Sequence, residues 1–417
     1  MTASDAYYDR LETRDMEERT RALFSGLVQQ IDHAKANSSY FADVLQQVDA
    51  QAVTDYDALA TLPITRKSDL IERQKAQRPF GGLTAEPTGS LANIFMSPGP
   101  IYEPGQDVKD FFRMGRAMWA AGFRPGDLVH NTFSYHMTPA GSMMESGARA
   151  IGCPVFPAGV GNTEMQLQAI SELRPKAYVG TPSFLRILLE KAAETGMDMS
   201  SLTHASVGGE ALPPSLRVTL KEMGMASVVQ SYGTADLGLI AYESGAMEGM
   251  IIDEGVIVEI VRPGTGDPVA PGEVGEVVVT SFNKTYPLIR FATGDMSAIL
   301  AGNSPCGRTN TRIKGWMGRA DQRVKVKGMF VDPTQVIAVQ KRHSEIRKVR
   351  LVVSSDDNTD AMSLHCEVDG GDGGCGLKDA VEASIQSICK VRGNATFVTV
   401  GSLANDGKVI DDIRSYE

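Results

Sequence analysis

Between residues 127 and 233, short apolar runs alternate with stretches of helical periodicity. This alternation is typical of parallel strands joined by crossover helices. The apolar runs are 127–130, 154–157, 177–180, 205–209 and 227–230, and the helical stretches are 163–173, 182–195 and 213–224. The last three runs end in glycine or a polar cluster, and ligands of open α/β sheets bind beyond the carboxyl ends of the strands. A binding site is therefore expected at these ends.

The flanking segments have different patterns. Residues 62–70 predict a new helix with Thr65 as its N-cap, and residues 250–300 change to a two-residue period typical of an antiparallel or barrel-like subdomain. A compact α+β unit of small-domain size follows residue 321. Its predicted elements are strands 349–353, 362–368 and 395–400 and a helix at 377–390.

The sequence therefore predicts an α/β fold with two domains. The large N-terminal domain, 1–320, would combine parallel-sheet α/β layers with a small β-barrel-like subdomain. The small C-terminal domain, 321–417, would be α+β.

Charge and cysteine usage narrow the choice of partners and compartment. The 417-residue chain has a formal net charge of −10 and a pI of about 5.3, so its surface repels polyphosphate chains and nucleic acid is not expected. A small anion such as ATP needs only a local basic pocket. The five cysteines lack paired spacing, which favours a reducing cytoplasm over a disulfide framework. Neither a signal peptide nor a membrane-spanning stretch is apparent, so no membrane association is expected.

Asp295 follows a predicted strand and a glycine. The glycine lets a ligand approach the backbone, and a carboxylate placed there can accept hydrogen bonds from both ribose hydroxyls. Gly-Asp is also an ordinary hairpin signal. For this motif alone, both interpretations stay open.

Residues 232–236 follow the apolar run 227–230. Their backbone amides and the Thr234 hydroxyl can meet a phosphate, and Asp236 can hold Mg²⁺, a hard cation that prefers carboxylate oxygen. A plain turn after a strand is the alternative interpretation.

Two more motifs lie near the predicted domain boundary and the C-terminus. Residues 318–321 lie where the large domain is predicted to end, which is where a hinge belongs, and Arg319 can contact ribose or phosphate. Lys408 follows a glycine and can bring a point charge to a developing negative charge. A surface turn and a solvated lysine are the alternatives.

Together these motifs resemble the phenylacetate-CoA ligase family of the AMP-forming (adenylate-forming) acyl-CoA ligase superfamily. The similarity covers nearly the whole chain and includes residues 62–70, 121–127, 208–212, 287–295 and 407–414. It implies ATP-dependent adenylation of a carboxylic acid, release of pyrophosphate and thioester formation with coenzyme A. It also implies that the C-terminal domain is a mobile lid that rotates between the two half-reactions.

The resemblance assigns roles to individual residues. Lys408 and Asp236 would be catalytic, with Asp236 also the Mg²⁺ ligand, and Asp321 would be the hinge. The residues implied to bind the nucleotide are Gly208, Gly209, Glu210, Tyr232, Gly233, Thr234, Asp295, Arg319, Ser97 and Gly99.

Two segments depart from the family pattern. The phosphate loop of the family normally reads Ser-Ser-Gly-Thr-Thr-Gly-Lys-Pro, whereas residues 96–104 read Met-Ser-Pro-Gly-Pro-Ile-Tyr-Glu-Pro. The threonines and the lysine are lost, and the prolines remove backbone donors. Glu103 would repel a phosphate unless Mg²⁺ lay between them. The second departure is Asp236, which stands where the family has glutamate.

The zinc site of some relatives is also absent from the sequence. Ser244, Met250 and Cys306 occupy the region where those relatives have cysteine and histidine. No zinc is therefore expected.

The acyl pocket is assigned by the resemblance of residues 131–139 to the segment that lines it in the family. His136 would either bond a substrate hydroxyl or pack against nearby carbonyls. The glycines of the pocket permit close approach of the substrate or of the pantetheine arm, or are simple turns. The implied substrate-binding residues are Phe133, Tyr135, His136, Gly161, Tyr178 and Gly180.

The sequence therefore predicts an acid–thiol ligase that uses ATP, Mg²⁺ and coenzyme A to activate an aromatic or small organic acid. The enzyme is expected to be cytoplasmic and, like many relatives, a homodimer. Two other functions stay open. One is an adenylating enzyme with a carrier protein or an amine as acceptor, and the other is a non-catalytic binding protein with a degraded phosphate loop.

Overall fold

The computed structural model describes residues 6–320, 322–356, 359–374, 376–403 and 409–414. The chain forms two compact units, Met1–Met317 and Gly318–Glu417. The functional division into domains 1–320 and 321–417 stays a prediction. Within the described ranges, no helix is long and apolar enough to cross a membrane.

The larger unit contains fifteen described strands and nine described α-helices. The strands are β1 (Thr65–Arg66), β2 (Asn93–Ser97), β3 (Ile101–Gly105), β4 (Val129–Asn131), β5 (Val155–Pro157), β6 (Ala177–Gly180), β7 (His204–Val207), β8 (Ser227–Thr234), β9 (Gly238–Tyr242), β10 (Met250–Ile252), β11 (Val256–Val261), β12 (Gly275–Ser281), β13 (Phe291–Ser297), β14 (Ile299–Leu300) and β15 (Arg312–Ile313). The helices are α1 (Met16–Asn37), α2 (Ser39–Val44), α3 (Tyr56–Ala60), α4 (Leu70–Ala76), α5 (Met114–Ala120), α6 (Ala140–Ala150), α7 (Thr163–Leu173), α8 (Pro182–Thr195) and α9 (Pro214–Glu222).

Nine strands form a mixed sheet in the order β14-β15-β10-β9-β8-β7-β6-β4-β5. Strands β5, β4, β6, β7 and the first half of β8 pair in parallel, which confirms the α/β prediction. Helices cover both faces of this sheet. Alternate residues of a strand point to opposite faces, so neighbouring residues pack against different helices. Tyr178 packs among residues of α7, α8 and α9, whereas its neighbours Ala177 and Val179 pack with residues of α5 and α6.

A second sheet has the order β1-β13-β12-β11. Strands β11, β12 and β13 are antiparallel, which confirms the antiparallel pairing expected from the two-residue period. All of β11 and β12 is buried, and the charged side chains within them are paired. Glu259 pairs with Arg290 at 3.0 Å, and Glu276 with Arg66 at 3.1 Å.

The predicted N-cap at Thr65 is wrong. Thr65 lies in β1, which pairs in parallel with Phe291 of β13, and a 3₁₀ turn at Lys67–Asp69 then leads into α4. Pairing with a strand more than two hundred residues later outweighs the local capping preference. This pairing brings Lys67 next to β13.

The smaller unit is α+β, as predicted. Its described elements are β16 (Val324–Val326), β17 (Met329–Val331), α10 (Pro333–Lys341), β18 (Ile346–Asp356), β19 (Thr359–Val368), α11 (Leu377–Cys389), β20 (Asn394–Thr399) and β21 (Ile410–Asp412). Strands β18, β19 and β20 and helix α11 match the predicted elements. Four strands form a sheet in the order β20-β19-β18-β21, and β16 and β17 form a separate hairpin.

Candidate functional site

The predicted nucleotide-binding residues Gly208, Gly209 and Glu210 lie beyond the carboxyl ends of β6 and β7. The Gly208 N–H donates to the Gly180 carbonyl at 3.2 Å, and Gly209 has a φ of +77°, a value that favours glycine. Glu210 Oε1 accepts a hydrogen bond from the Ser183 N–H at 2.7 Å, at the start of α8. The Glu210 carboxylate therefore caps the start of α8, and a nucleotide contact by this turn stays a prediction.

The carboxylate of Asp295 is oriented by two side chains. The Tyr232 hydroxyl donates to Oδ2 at 2.8 Å, and Trp316 Nε1 donates to Oδ1 at 3.1 Å. The structure thus brings together two predicted nucleotide-binding residues and adds Trp316, which the sequence analysis missed. A contact between Asp295 and the ribose hydroxyls stays a prediction.

A buried ion pair lies at the predicted phosphate end of the site. Lys67 Nζ pairs with Oδ2 of Asp236, whose side chain is 0% exposed. The other carboxylate oxygen of Asp236, Oδ1, has no hydrogen-bond partner. Lys67 also interacts electrostatically with Glu103 and Asp295, so the predicted metal and ribose residues belong to one cluster.

Lys67 keeps its positive charge in this cluster. Burial disfavours its charged form, but the charges of Asp236 and Glu103 outweigh burial and raise the pKa of Lys67. The sequence analysis missed this residue, because Lys67 and Asp236 are 169 positions apart. No local pattern joins them, and only the β1–β13 pairing brings Lys67 to the site.

Glu103 belongs to the altered phosphate-loop segment 96–104 and interacts electrostatically with Asp236 and Lys67. It is 0% exposed, and it accepts hydrogen bonds from the Ser97 N–H at 3.1 Å and from the Ser97 hydroxyl. Burial, and then the negative charge of Asp236, raises the pKa of Glu103 to about 8. The donors of Ser97 are thus engaged within the protein, and Pro98 and Pro100 have no N–H to offer.

This geometry limits the predicted role of Ser97 and Gly99. Both residues lie where β2 turns into β3, but the polar groups of Ser97 point to Glu103. Ser97 can donate to a phosphate only after Glu103 releases it. Its nucleotide contact therefore stays a prediction, as does that of Gly99.

Gly233 and Thr234 lie within β8 instead of in a loop after it. Here β8 changes partner from the parallel β7 to the antiparallel β9. A Cβ at Gly233 would lie 2.5 Å from the Gly238 carbonyl oxygen, so close strand pairing requires glycine. The Thr234 hydroxyl accepts a hydrogen bond from the Leu237 N–H at 3.2 Å. Structural roles account for both residues, and phosphate contacts by them stay predictions.

The predicted acyl segment is held by a hydrogen-bonded chain. Asn131 Nδ2 donates to the Tyr135 hydroxyl at 2.8 Å, and this hydroxyl donates to Glu145 Oε2 at 2.9 Å. Burial and the Glu145 carboxylate raise the pKa of Tyr135 well above its usual value. Phe133 is half-buried, whereas His136 is exposed, which contradicts the interpretation that His136 is packed.

The acyl segment also touches the phosphate loop. The Met96 N–H of β2 donates to the Met137 carbonyl at 2.8 Å, and Met137 is 70% exposed with a φ of +63°. The predicted acyl and phosphate regions are therefore neighbours on the larger unit.

The loop that contains Gly161 is fixed by Gln166 of α7. Gln166 Nε2 donates to the carbonyls of Gly159 and Gly161 at 2.9 and 2.7 Å, and its Oε1 contacts His130 Nε2 at 2.8 Å. Burial lowers the pKa of His130, and the hydrogen bond to Gln166 opposes this shift. His130 and Gln166 were not predicted, and they tie β4 to the loop.

Tyr178 and Gly180 form a packed unit. Tyr178 is 0% exposed, and its hydroxyl accepts from the Thr132 hydroxyl at 2.8 Å and donates to the Thr181 carbonyl at 3.1 Å. A Cβ at Gly180 would lie 2.0 Å from Thr132 Oγ1 and 2.2 Å from the Tyr178 hydroxyl. Packing beneath the sheet end therefore explains the glycine. A substrate contact by either residue stays a prediction.

The remaining predicted residues belong to the smaller unit. Arg319 is half-buried near its start. Asp321, the predicted hinge, and Lys408, the predicted catalytic lysine, lie outside the described residues. In the region where some relatives have zinc ligands, Cys306 Sγ contacts the Ser304 hydroxyl at 3.0 Å. The described part of the chain holds no group of three or more His, Cys, Asp or Glu that could bind a metal.

Comparison with known proteins gives consistent results. Residues 113–284 match the AMP-binding enzyme family. The chain is 30% identical over 380 residues to the phenylacetate-coenzyme A ligase of Thermus thermophilus, which covers 87% of this chain and 84% of the relative. It is 27% identical over 387 residues to the phenylacetate-coenzyme A ligase of Aromatoleum evansii, with 88% and 86% coverage.

Solved structures support the fold. A 2-hydroxyisobutyryl-CoA ligase in complex with 2-HIB-AMP and CoA superposes with a TM-score of 0.84 at 23% identity, covering 100% of this chain and 94% of that one. The amide bond synthetase McbA from Marinactinospora thermotolerans has a TM-score of 0.56 at 18% identity and covers 93% of both chains. At these identities the likeness concerns the fold alone, and enzymes with different acceptors share it.

Proposed function

Since the chain belongs to the phenylacetate-CoA ligase family and is an AMP-forming acid–CoA ligase, we propose that its adenylation site is built from Asp295, Lys67 and Asp236. The observation that carries this proposal is the cluster in which Lys67 pairs with Asp236 and interacts with Glu103 and Asp295. One cation thus lies beside both the predicted ribose carboxylate and the predicted metal carboxylate.

At the ribose end, Asp295 receives the hydroxyls of the sugar. Tyr232 and Trp316 fix its two oxygens at 2.8 and 3.1 Å, so the carboxylate loses little conformational freedom when the nucleotide binds. The adenine lies along the turn at 208–210, whose backbone is held by Gly180.

At the phosphate end, Lys67 supplies the positive charge that the altered loop lacks. A fixed cation beside the phosphates favours the transition state, in which negative charge develops on the departing pyrophosphate. Lys408 of the lid domain serves the same half-reaction, and Asp321 is the hinge.

Asp236 fits the role of an Mg²⁺ ligand. Its Oδ1 is buried without a hydrogen-bond partner, and Mg²⁺ is commonly held by one or two carboxylates together with substrate phosphates and water. When bound, Mg²⁺ supplies charge neutralisation for the phosphates.

The acid is aromatic or a small organic acid, held between the segment at 133–136 and the loop at 159–161. His136 is exposed and is available to a polar group on the substrate.

We further propose a homodimer and a cytoplasmic location. Size-exclusion chromatography with light scattering tests the first, because a monomeric mass at micromolar concentration would contradict it.

The reaction is tested by following AMP and thioester formation with a panel of carboxylic acids. We expect AMP and acyl-CoA in equal amounts with coenzyme A, and little product with a carrier protein or an amine. Product with only a carrier protein or an amine would favour the alternative acceptor.

A further inference from the structure

We propose that Asn131 is the positioning residue that fixes the shape of the acid pocket and thereby determines which acid is accepted. This inference rests on the proposed function, because it concerns the segment at 133–136 and the loop at 159–161, the two proposed walls of that pocket. Asn131 is the last residue of β4, at the carboxyl end of the parallel strands. It was not predicted as a site residue, yet it is hydrogen-bonded to both walls.

The side chain of Asn131 holds the first wall by three hydrogen bonds. Its Nδ2 donates to the Tyr135 hydroxyl at 2.8 Å and to the Gly141 carbonyl at 2.9 Å. Its Oδ1 accepts from the Phe133 N–H at 3.1 Å. Asn131 is 0% exposed, so its amide has no access to water. Losing one of these bonds therefore costs the desolvation free energy of the group left unpaired.

The amide of Asn131 also decides how the Tyr135 hydroxyl is used. Because the Phe133 N–H can only donate, Oδ1 must face it, and the NH₂ group must then donate to the Tyr135 oxygen. The hydroxyl proton of Tyr135 is thus directed to Glu145 Oε2 at 2.9 Å. The Tyr135 ring is confined as well, since a Cβ at Gly141 would lie 2.7 Å from its Cδ2. Tyr135 is therefore held in one orientation, with its proton already engaged within the protein.

The backbone of Asn131 holds the second wall. Its carbonyl accepts from the Gly159 N–H at 3.0 Å, and Gln166 fixes the carbonyls of Gly159 and Gly161 on the same loop. One residue at the end of β4 thus sets the first wall at a defined distance from the second. Misplacing a substrate by about 1 Å can cost up to about 10²-fold in rate, so this distance matters for the reaction.

The test measures the KM values of the acid and of ATP for acid-dependent pyrophosphate release. The acid is phenylacetate, or the acid of the panel that yields the most AMP if phenylacetate yields none. Asn131→Asp keeps the acceptor for the Phe133 N–H but removes the Nδ2 donor. We expect KM for the acid to rise roughly tenfold and KM for ATP to stay within about twofold of the parent value. We also expect the preference for this acid over the next-best acid, as a ratio of kcat/KM values, to fall.

Gln30→Glu is the matched control. Gln30 is a 0% exposed amide of α1 in the larger unit, and its Nε2 donates to the carbonyls of Ser281 and Asn283 at 3.0 and 2.8 Å. The substitution therefore removes the same kind of buried donor away from the proposed pocket. It should leave both KM values unchanged.

Each outcome bears on the role of Asn131. A rise in KM that is confined to the acid and to Asn131→Asp would support it. Equal rises for acid and ATP, the same loss in Gln30→Glu, or unchanged values in a folded Asn131→Asp would overturn this inference alone. A parent that releases no pyrophosphate with any acid would overturn the proposed function as well. If Asn131→Asp does not fold, Asn131→Ser is measured in the same way, with the same rise expected only for the acid.

Discussion

At the scale of single residues, the site depends on Lys67, which stands outside the phosphate loop. It pairs with Asp236 and is only 20% exposed, so its ammonium group is partly shielded from water. Electrostatic interactions are stronger in such surroundings than in bulk solvent. A cation in this position can replace the lysine that the loop has lost.

We predict that Lys67→Met lowers the rate of acid-dependent pyrophosphate release by roughly 10²–10³-fold, the range found when one stabilising donor is removed from a transition state. The measurement is the pre-steady-state rate of pyrophosphate release. Lys75→Met is the control, since Lys75 is an exposed lysine of the following helix paired with Glu72. A Lys67→Met rate within about threefold of the parent, with the fold intact, would exclude Lys67 from the phosphate site.

At the scale of elements, the sheet ends are shaped by packing beneath them. Gly180 ends β6, and the space where its side chain would lie is filled by the hydroxyls of Thr132 and Tyr178. Gly233 is required in the same way by the pairing of β8 with β9. Glycine at these positions is explained without a ligand.

We predict that Gly180→Ala lowers the free energy of unfolding by about 1–3 kcal/mol, the usual cost of overpacking. Denaturant unfolding measures the change. Gly89→Ala is the control, because no atom lies within 4 Å of its added Cβ, and it should be close to neutral. Equal free energies of unfolding for the two variants would show that the residues around the end of β6 can move to accommodate the added methyl group.

The contact between His130 of β4 and Gln166 of α7 leads us to expect that the free energy of unfolding depends on pH. Burial lowers the pKa of His130 below its ordinary value of 6.5, so below pH 6.5 the unfolded chain binds more protons at this residue than the folded chain does. The contribution of neutral His130 to the free energy of unfolding is therefore fully present above about pH 6.5. It is lost as the pH falls through the pKa of His130 in the folded protein.

We predict that unfolding free energies measured between about pH 7.5 and pH 5 decline less steeply in His130→Gln than in the parent. His204 also has a pKa lowered by burial, so the decline is reduced and not abolished. An identical slope in parent and variant would contradict the role assigned to His130.

At the scale of the whole molecule, Lys408 of the proposed lid domain serves adenylation and not thioester formation. We predict that Lys408→Ala abolishes acid-dependent pyrophosphate release but leaves transfer from preformed acyl-adenylate to coenzyme A largely intact. Rapid-quench assays of each half-reaction measure the two rates separately. Equal loss of both would count against the assignment of Lys408 to adenylation.

The sequence predicted the parts of the fold that depend on local pattern. Alternating apolar runs and helical stretches indicated the parallel strands β4 to β8, and the later two-residue period indicated the antiparallel sheet. The wrong N-cap at Thr65 came from a pairing with β13 that no local signal reveals. Long-range pairing also decides that β8 continues through residues 231–234.

The candidate site was predictable where a motif carries the chemistry. Asp295, Tyr232 and Asp236 stood out by their glycines and their order along the chain. Lys67, Trp316 and Gln166 did not, because they reach the site from distant or unremarkable segments. For Lys67, the lost loop lysine was the available signal, since it implied that a cation had to come from elsewhere.

The central claim is that this chain forms an acyl-adenylate with an altered phosphate loop, and ATP–pyrophosphate exchange tests it most directly. The parent protein with Mg²⁺ and labelled pyrophosphate is assayed across a panel of carboxylic acids without coenzyme A. We expect label to enter ATP only in the presence of an acid substrate. Absence of exchange with every acid would contradict the claim and favour a non-catalytic binding protein.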